Sequence, residues 1–191
     1  MTGLSDVASI EARLDDILDA ASKQFYTGKL SLRPGRTMLV RRESFRREVR
    51  PDALTGAFTL ELASRDPFEE ADAVSSLLWP ISASGATLAA ASAGNLETPA
   101  TITLVAGGEL LDPAISDGER TIAYSGIIGV GDMLIFDGTV GHVTLNFNDV
   151  TPYTSGQFPR VSPEGTTLTF TDDVESTHAA AATVLFQDRW W

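Results

Sequence analysis

The chain has 191 residues, of which 43% are hydrophobic and 21% charged, with a formal net charge of −12. That is too apolar for a disordered acidic chain and enough to build one large domain or two small ones. It has no cysteine, which excludes a disulfide framework, a thiolate metal site and a cysteine nucleophile, and no stretch approaches the roughly 18 apolar residues of a membrane span.

The first ten residues lack the basic start and apolar run of a secretory signal, so none is expected. Ser5 and Asp6 are helix N-cap candidates. Ile10, Leu14, Ile17, Leu18 and Ala21 then recur at helical spacing, with Glu11, Asp15, Asp16 and Asp19 at the other positions. Thr27-Gly28 ends the helix. One amphipathic helix of this length does not fold alone, so its stripe is expected on later strands or on another chain.

Short strand-like runs follow. Residues 29–33 alternate, Pro34-Gly35-Arg36 is a turn signal, and 37–41 forms a second run. Residues 57–63 alternate cleanly, with Phe58, Leu60 and Leu62 on one face and Thr59 and Glu61 on the other. Between the second and third runs lies an arginine-rich stretch, 41–50, and Asp66-Pro67 closes this unit, 1–67. Residues 68–97 read as a connector: a short helix or arm, then Trp79-Pro80-Ile81, then an Ala/Ser/Gly-rich stretch with some strand around 86–91.

From residue 98 to 191 the pattern is all β. Strand-like runs at 101–105, 120–124, 132–136, 142–147, 166–170 and 181–186 are separated by turn signals such as Asp117-Gly118 and Asp137-Gly138. Their rhythm predicts an antiparallel β-sandwich. The apolar strand positions expected inside it are Ile102, Leu104, Ile122, Tyr124, Leu134, Phe136, Leu145, Phe147, Leu168, Phe170, Val184 and Phe186. The predicted fold class is therefore mainly β: a helix with a small β unit, then the sandwich.

Charge divides along the same line. Residues 1–65 carry 11 Lys+Arg and 9 Asp+Glu (+2), and residues 66–191 carry 3 and 17 (−14). Seven arginines, Arg33, Arg36, Arg41, Arg42, Arg46, Arg47 and Arg50, fall within 18 residues. A nucleic-acid surface is one reading of that cluster. The acidic remainder repels phosphate, which favours contacts with protein partners and argues against sequence-specific nucleic-acid binding.

Chemistry-bearing constellations are few. The two histidines, His142 and His178, have no metal-ligand spacing, and the acid pairs Asp15/Asp16, Glu69/Glu70 and Asp172/Asp173 read as solvated surface. Asp112, Asp117, Glu119, Asp172 and Asp173 could furnish a calcium loop, but they do not form its spaced pattern. Gly126, Gly129 and Gly131 read as turn glycines, and no nucleophile elbow or phosphate loop is present. No enzyme, cofactor or metal is expected. The aromatic end, Phe186, Trp190 and Trp191, is expected mainly in the core.

Residues 95–191 resemble the C-terminal domain of siphophage distal tail proteins. The resemblance runs in order through Pro99-Ala100-Thr101-Ile102-Thr103-Leu104, Asp112-Pro113-Ala114-Ile115, Thr121-Ile122-Ala123-Tyr124-Ser125-Gly126 and Gly131-Asp132-Met133-Leu134-Ile135-Phe136. It continues with Val143-Thr144-Leu145-Asn146, Gly156-Gln157-Phe158-Pro159-Arg160-Val161, Pro163-Glu164-Gly165 and the ending Val184-Leu185-Phe186-Gln187-Asp188-Arg189-Trp190-Trp191. The helix, Gly28-Lys29-Leu30-Ser31-Leu32, Met38-Leu39-Val40 and the run Leu60 through Pro67 look like the back part of that family's ring-forming domain. The family usually has several strands before this helix. Their absence implies a shortened member or strands supplied by another chain.

The resemblance implies a galectin-like sandwich and a non-enzymatic virion protein, made in the host cytoplasm and placed at the distal end of the tail. It implies a homo-oligomeric ring, a hexamer, joining the tail tube to baseplate, hub or fibre proteins. The expected assembly residues are Ile10, Leu14, Ile17, Leu18, Arg41, Arg42, Arg46 and Arg47, with Glu11, Asp15, Asp16 and Asp19 of a neighbouring subunit as partners for the arginines. The alternative is a carbohydrate-binding sandwich contacting the host surface, an analogy of fold alone.

Overall fold

The computed structural model describes residues 6–22, 28–52, 54–64 and 66–191. Ser5, Thr27 and the side chain of Ala21, named above for the helix and its ends, lie outside the described residues. The chain divides into two units, Met1–Glu69 and Glu70–Trp191.

In the first unit, Asp6 caps helix α1 (Val7–Ser22) by accepting the Ser9 backbone N–H at 2.8 Å. That bond stabilises the carboxylate and holds its pKa below the ordinary value. Three antiparallel strands follow: β1 (Gly28–Arg33), β2 (Arg36–Arg50) and β3 (Thr55–Ala63). Pro34-Gly35 turns β1 into β2, with Gly35 at φ +76°, where a side chain is strained.

The arginine-rich stretch is not a link between strands. It is the second half of one 15-residue strand, which pairs with β1 near its start and with β3 over Arg41 to Arg50. Charge hid this, because Phe45 and Val49 share one face with the exposed Arg47. A register shift between Arg42 and Ser44 adds one residue to the ribbon.

The helix stripe lies on this ribbon. Ile10 is 2% exposed and Leu14 4%, each burial contributing about 1.5–3 kcal/mol. The approach depends on Gly56 of β3: a Cβ there would stand 2.6 Å from Ile10 Cγ2 and 3.2 Å from Leu14 Cδ1.

The second unit is the expected antiparallel sandwich. At the junction lies β4 (Glu69–Ala71), followed by β5 (Ser75–Ile81), β6 (Thr87–Ala90), β7 (Thr98–Ala106), β8 (Leu110–Leu111), β9 (Ala114–Ser116) and β10 (Thr121–Tyr124). Next come β11 (Ile127–Ile128), β12 (Met133–Asp137), β13 (His142–Leu145), β14 (Asn148–Asp149), β15 (Thr154–Gly156) and β16 (Arg160–Val161). The unit ends with β17 (Thr166–Thr171), β18 (Ala180–Phe186) and β19 (Arg189–Trp190). One sheet runs β15-β10-β9-β17-β6, and the other runs β14-β13-β12-β7-β18-β5 with β16 added beside β7. The inward residues of both sheets form one continuous core.

Two expectations change here. The stretch 68–97 is not a connector: β5 and β6 are strands of the two sheets, and Trp79, 2% exposed, is among the largest buried side chains. Ser and Ala flank these strands, so their alternation is faint in the sequence.

The run 142–147 ends early. Asn146 and Phe147 take φ +49° and +66° in a two-residue turn joining β13 to β14, the geometry of a tight hairpin. Phe147 is therefore 81% exposed instead of inside. Leu145 is half-buried and packs against the core, and the other ten expected core positions are buried. Of the aromatic end, Phe186 is buried, Trp190 half-buried and Trp191 exposed.

Candidate functional site

The expected assembly residues gather on the helix and ribbon of the first unit. Ile10 and Leu14 are consumed in packing α1 onto β2 and β3, while Ile17 and Leu18 are only half-buried. The ribbon also carries an aromatic pair that sequence reading missed. Phe45 and Phe58 stack with ring centroids 5.8 Å apart and planes 20° from parallel. Phe58 is still 47% exposed. Such an offset pair adds about 0.5–1.5 kcal/mol beyond area burial. The signal was present in the alternation of β3, but its partner on β2 was hidden among arginines.

The arginines divide by partner. Arg41 donates from Nε and Nη2 to Glu43 Oε1 at 2.9 and 2.7 Å, and Arg50 donates to Glu48 at 2.9 Å. Arg47 donates to Asp15 of α1. The helix acid expected to meet an arginine across a subunit boundary thus meets one within its own chain. Arg42 is half-buried, and Arg46 is exposed on the face opposite the helix, along with Glu48 and Arg50. Arg33 and Arg36, flanking the β1–β2 turn, lie 3.3 and 3.7 Å from the buried Glu69 carboxylate. Leaving that carboxylate unpaired would be strongly destabilising.

Paired edges are few in this unit. Among the described residues, strand β1 and strand β3 each join β2 on one side only, which leaves backbone groups on their far sides able to accept another chain.

In the second unit, the histidines engage acids singly: His178 Nδ1 lies 2.8 Å from Asp172 Oδ1, and His142 Nε2 lies 3.1 Å from Asp149 Oδ1. Among the described residues, no group of three or more His, Asp and Glu side chains is placed to hold a metal.

A denser polar network surrounds Asp117, at the β9–β10 turn. Its carboxylate accepts the backbone N–H groups of Glu119 (2.9 Å), Arg120 (2.6 Å) and Arg160 (2.9 Å), and Arg120 Nη1 at 3.1 Å. Burial alone would raise its pKa, but these bonds outweigh burial and hold it below the ordinary value. Arg120 also reaches Glu97 at 3.0 Å. The sequence marked Asp117 as a turn residue and a discarded calcium-loop candidate, and it could not show this network because Arg160 comes from a distant strand.

No family model matches the sequence. No curated protein shows a matching sequence. The fold has a solved counterpart in the crystal structure of the Dit protein (gp 19.1) of phage SPP1, described as a paradigm of the hub adsorption apparatus in phages that infect Gram-positive hosts. The two align with a TM-score of 0.72 at 14% sequence identity, covering 100% of this chain and 76% of that one. At that identity the likeness is one of fold, and it spans both the helix-and-ribbon unit and the sandwich.

Proposed function

We propose that this chain is a non-enzymatic structural protein of a phage-type tail tip. In this reading the helix-and-ribbon unit makes the subunit contacts of a homo-oligomeric ring, a hexamer, and the sandwich faces other tail proteins. The observation that carries it is the fold likeness to the SPP1 hub protein over the whole chain. Physical features of the first unit support it. Phe45, Phe58, Ile17 and Leu18 are apolar side chains left partly exposed, and β1 and β3 each pair on one side only among the described residues. A neighbour related by rotation would cover both features at once, as a closed heterologous ring requires.

The partners in this reading are the tail tube on one side and hub, baseplate or fibre proteins on the other. Tight, sequence-specific nucleic-acid binding is disfavoured by the −14 charge of residues 66–191. The carbohydrate-contacting alternative is compatible with a structural role, because it concerns the sandwich and not the ribbon.

Native mass spectrometry tests the reading. The full chain is expected to give one closed oligomer, and a fragment of residues 70–191 a monomer. A full chain that stays monomeric at high concentration, or a fragment that assembles equally well, overturns it.

A further inference from the structure

Residues 66–191 contain only three cationic side chains, Arg120, Arg160 and Arg189. Arg189 is held by Glu70, with Nε 2.8 Å from Oε1. The other two line one open pocket of about 320 Å³, together with Gln157, Phe158, Pro99 and Pro159. That volume is at the lower end of small-molecule sites, which run from roughly 300 to 1,000 Å³.

The pocket is built from rigid parts. Strand β16 pairs with β7, placing Arg160 opposite Pro99. Gly156, at φ +98°, lines it with bare backbone, because a Cβ there would lie 2.0 Å from the Thr121 carbonyl oxygen. Phe158 packs partly on the core while also lining the pocket. Arg120 is held by Asp117 and Glu97 through its two terminal nitrogens, so its fork is fixed before any ligand arrives. The Arg160 and Gln157 side chains are exposed.

The electrostatics select the ligand class. Glu97, Asp117 and Glu119 all lie within 4 Å of Arg120 nitrogens. No carboxylate lines the pocket itself, but these three surround Arg120 and offset its charge, in a unit that is already strongly acidic, so an anion gains little. Fixed donors and acceptors beside an aromatic ring and two prolines suit a neutral ring that has hydroxyl groups at its edge and C–H groups on its face. We propose that this pocket binds a neutral saccharide, with Phe158 packing on the sugar face and Gln157, Arg160 and Arg120, the last held in place by Glu97 and Asp117, bonding its hydroxyls.

Saturation-transfer NMR on the full chain tests this. The neutral probes are the methyl glycosides of glucose, galactose and N-acetylglucosamine, and the anionic probes are glucuronate and inorganic phosphate. Transfer to at least one neutral glycoside is expected in the millimolar range. Affinity should fall about ten-fold in Arg160→Ala or Gln157→Ala, the scale of one hydrogen bond. Both side chains are exposed, so both variants should fold. Trp191→Ala, outside the pocket, should bind as the parent does. Transfer to anionic probes only, to no neutral glycoside, or unchanged in both pocket variants overturns the proposal. The site does not rest on the ring: a monomeric chain that binds the glycosides would remove the ring and keep the pocket.

Discussion

Arg47 of β2 donates a hydrogen bond to Asp15 of α1 within one chain, tying the helix to the ribbon that its apolar stripe already covers. Both side chains are largely exposed, so the pair contributes little, about 0.2–1 kcal/mol. The orientation of α1 rests mainly on Ile10 and Leu14. Arg47→Glu should lower the first unit's stability by no more than about 1 kcal/mol, and adding Asp15→Arg should restore it. Denaturant titration of the four-member cycle checks this; a loss several times larger would mean that the ion pair, and not the stripe, positions the helix.

Arg42, half-buried opposite Leu62, and Arg46, exposed on the face away from the helix, should matter for assembly instead. Arg42→Glu with Arg46→Glu is expected to weaken the proposed ring while leaving the sandwich intact. Native mass spectrometry would show a shift towards monomer relative to the parent that shrinks as salt is raised, because salt screens the new like-charge repulsion if complementary charges meet there. An unchanged oligomer would remove these residues from the interface.

Gly56→Val should lift α1 from the ribbon. The added Cβ would overlap Ile10 Cγ2 at 2.6 Å, and overpacking of this kind costs about 1–3 kcal/mol. Amide exchange in α1 should accelerate, with β7 and β18 unaffected. Equal protection of α1 in variant and parent would show that the helix can shift at no cost.

Trp79→Ala should destabilise the sandwich by about 3–5 kcal/mol, the usual range for deleting a buried large aromatic side chain. For the same reason a fragment starting at residue 98 loses β5 and β6 and should be poorly folded, whereas one starting at residue 70 should give a β-type circular dichroism spectrum. Cooperative unfolding of the shorter fragment with the same midpoint would contradict the place of Trp79 in the core.

Asp117 gives the sandwich an acid-sensitive turn. Its folded pKa lies below the unfolded value of about 3.8. Its contribution is therefore present above that pH and lost as pH falls through the lower folded value. Asp117→Asn keeps the shape but weakens the bonds to three backbone N–H groups and to Arg120. It should lower stability at neutral pH by about 1–3 kcal/mol and flatten the decline between neutral and acid pH. Parallel pH–stability curves for variant and parent would remove Asp117 as the cause.

The sequence by itself determined the element types. The stripe from Ile10 to Leu18, the alternation of β3 and the strand rhythm after residue 98 are local periods, and local periods follow directly from which face of an element is buried. The charge division between the halves was equally legible, since it needs only counting. The tertiary structure alone decided which positions meet. Strand pairing brings Arg160 beside Asp117 and Phe45 against Phe58, and a two-residue turn puts Phe147 outside a strand whose alternation pointed inward. Trp79 reaches the core because β18 lies beside β5. These relations depend on register and strand order between distant segments, which no short-range period encodes.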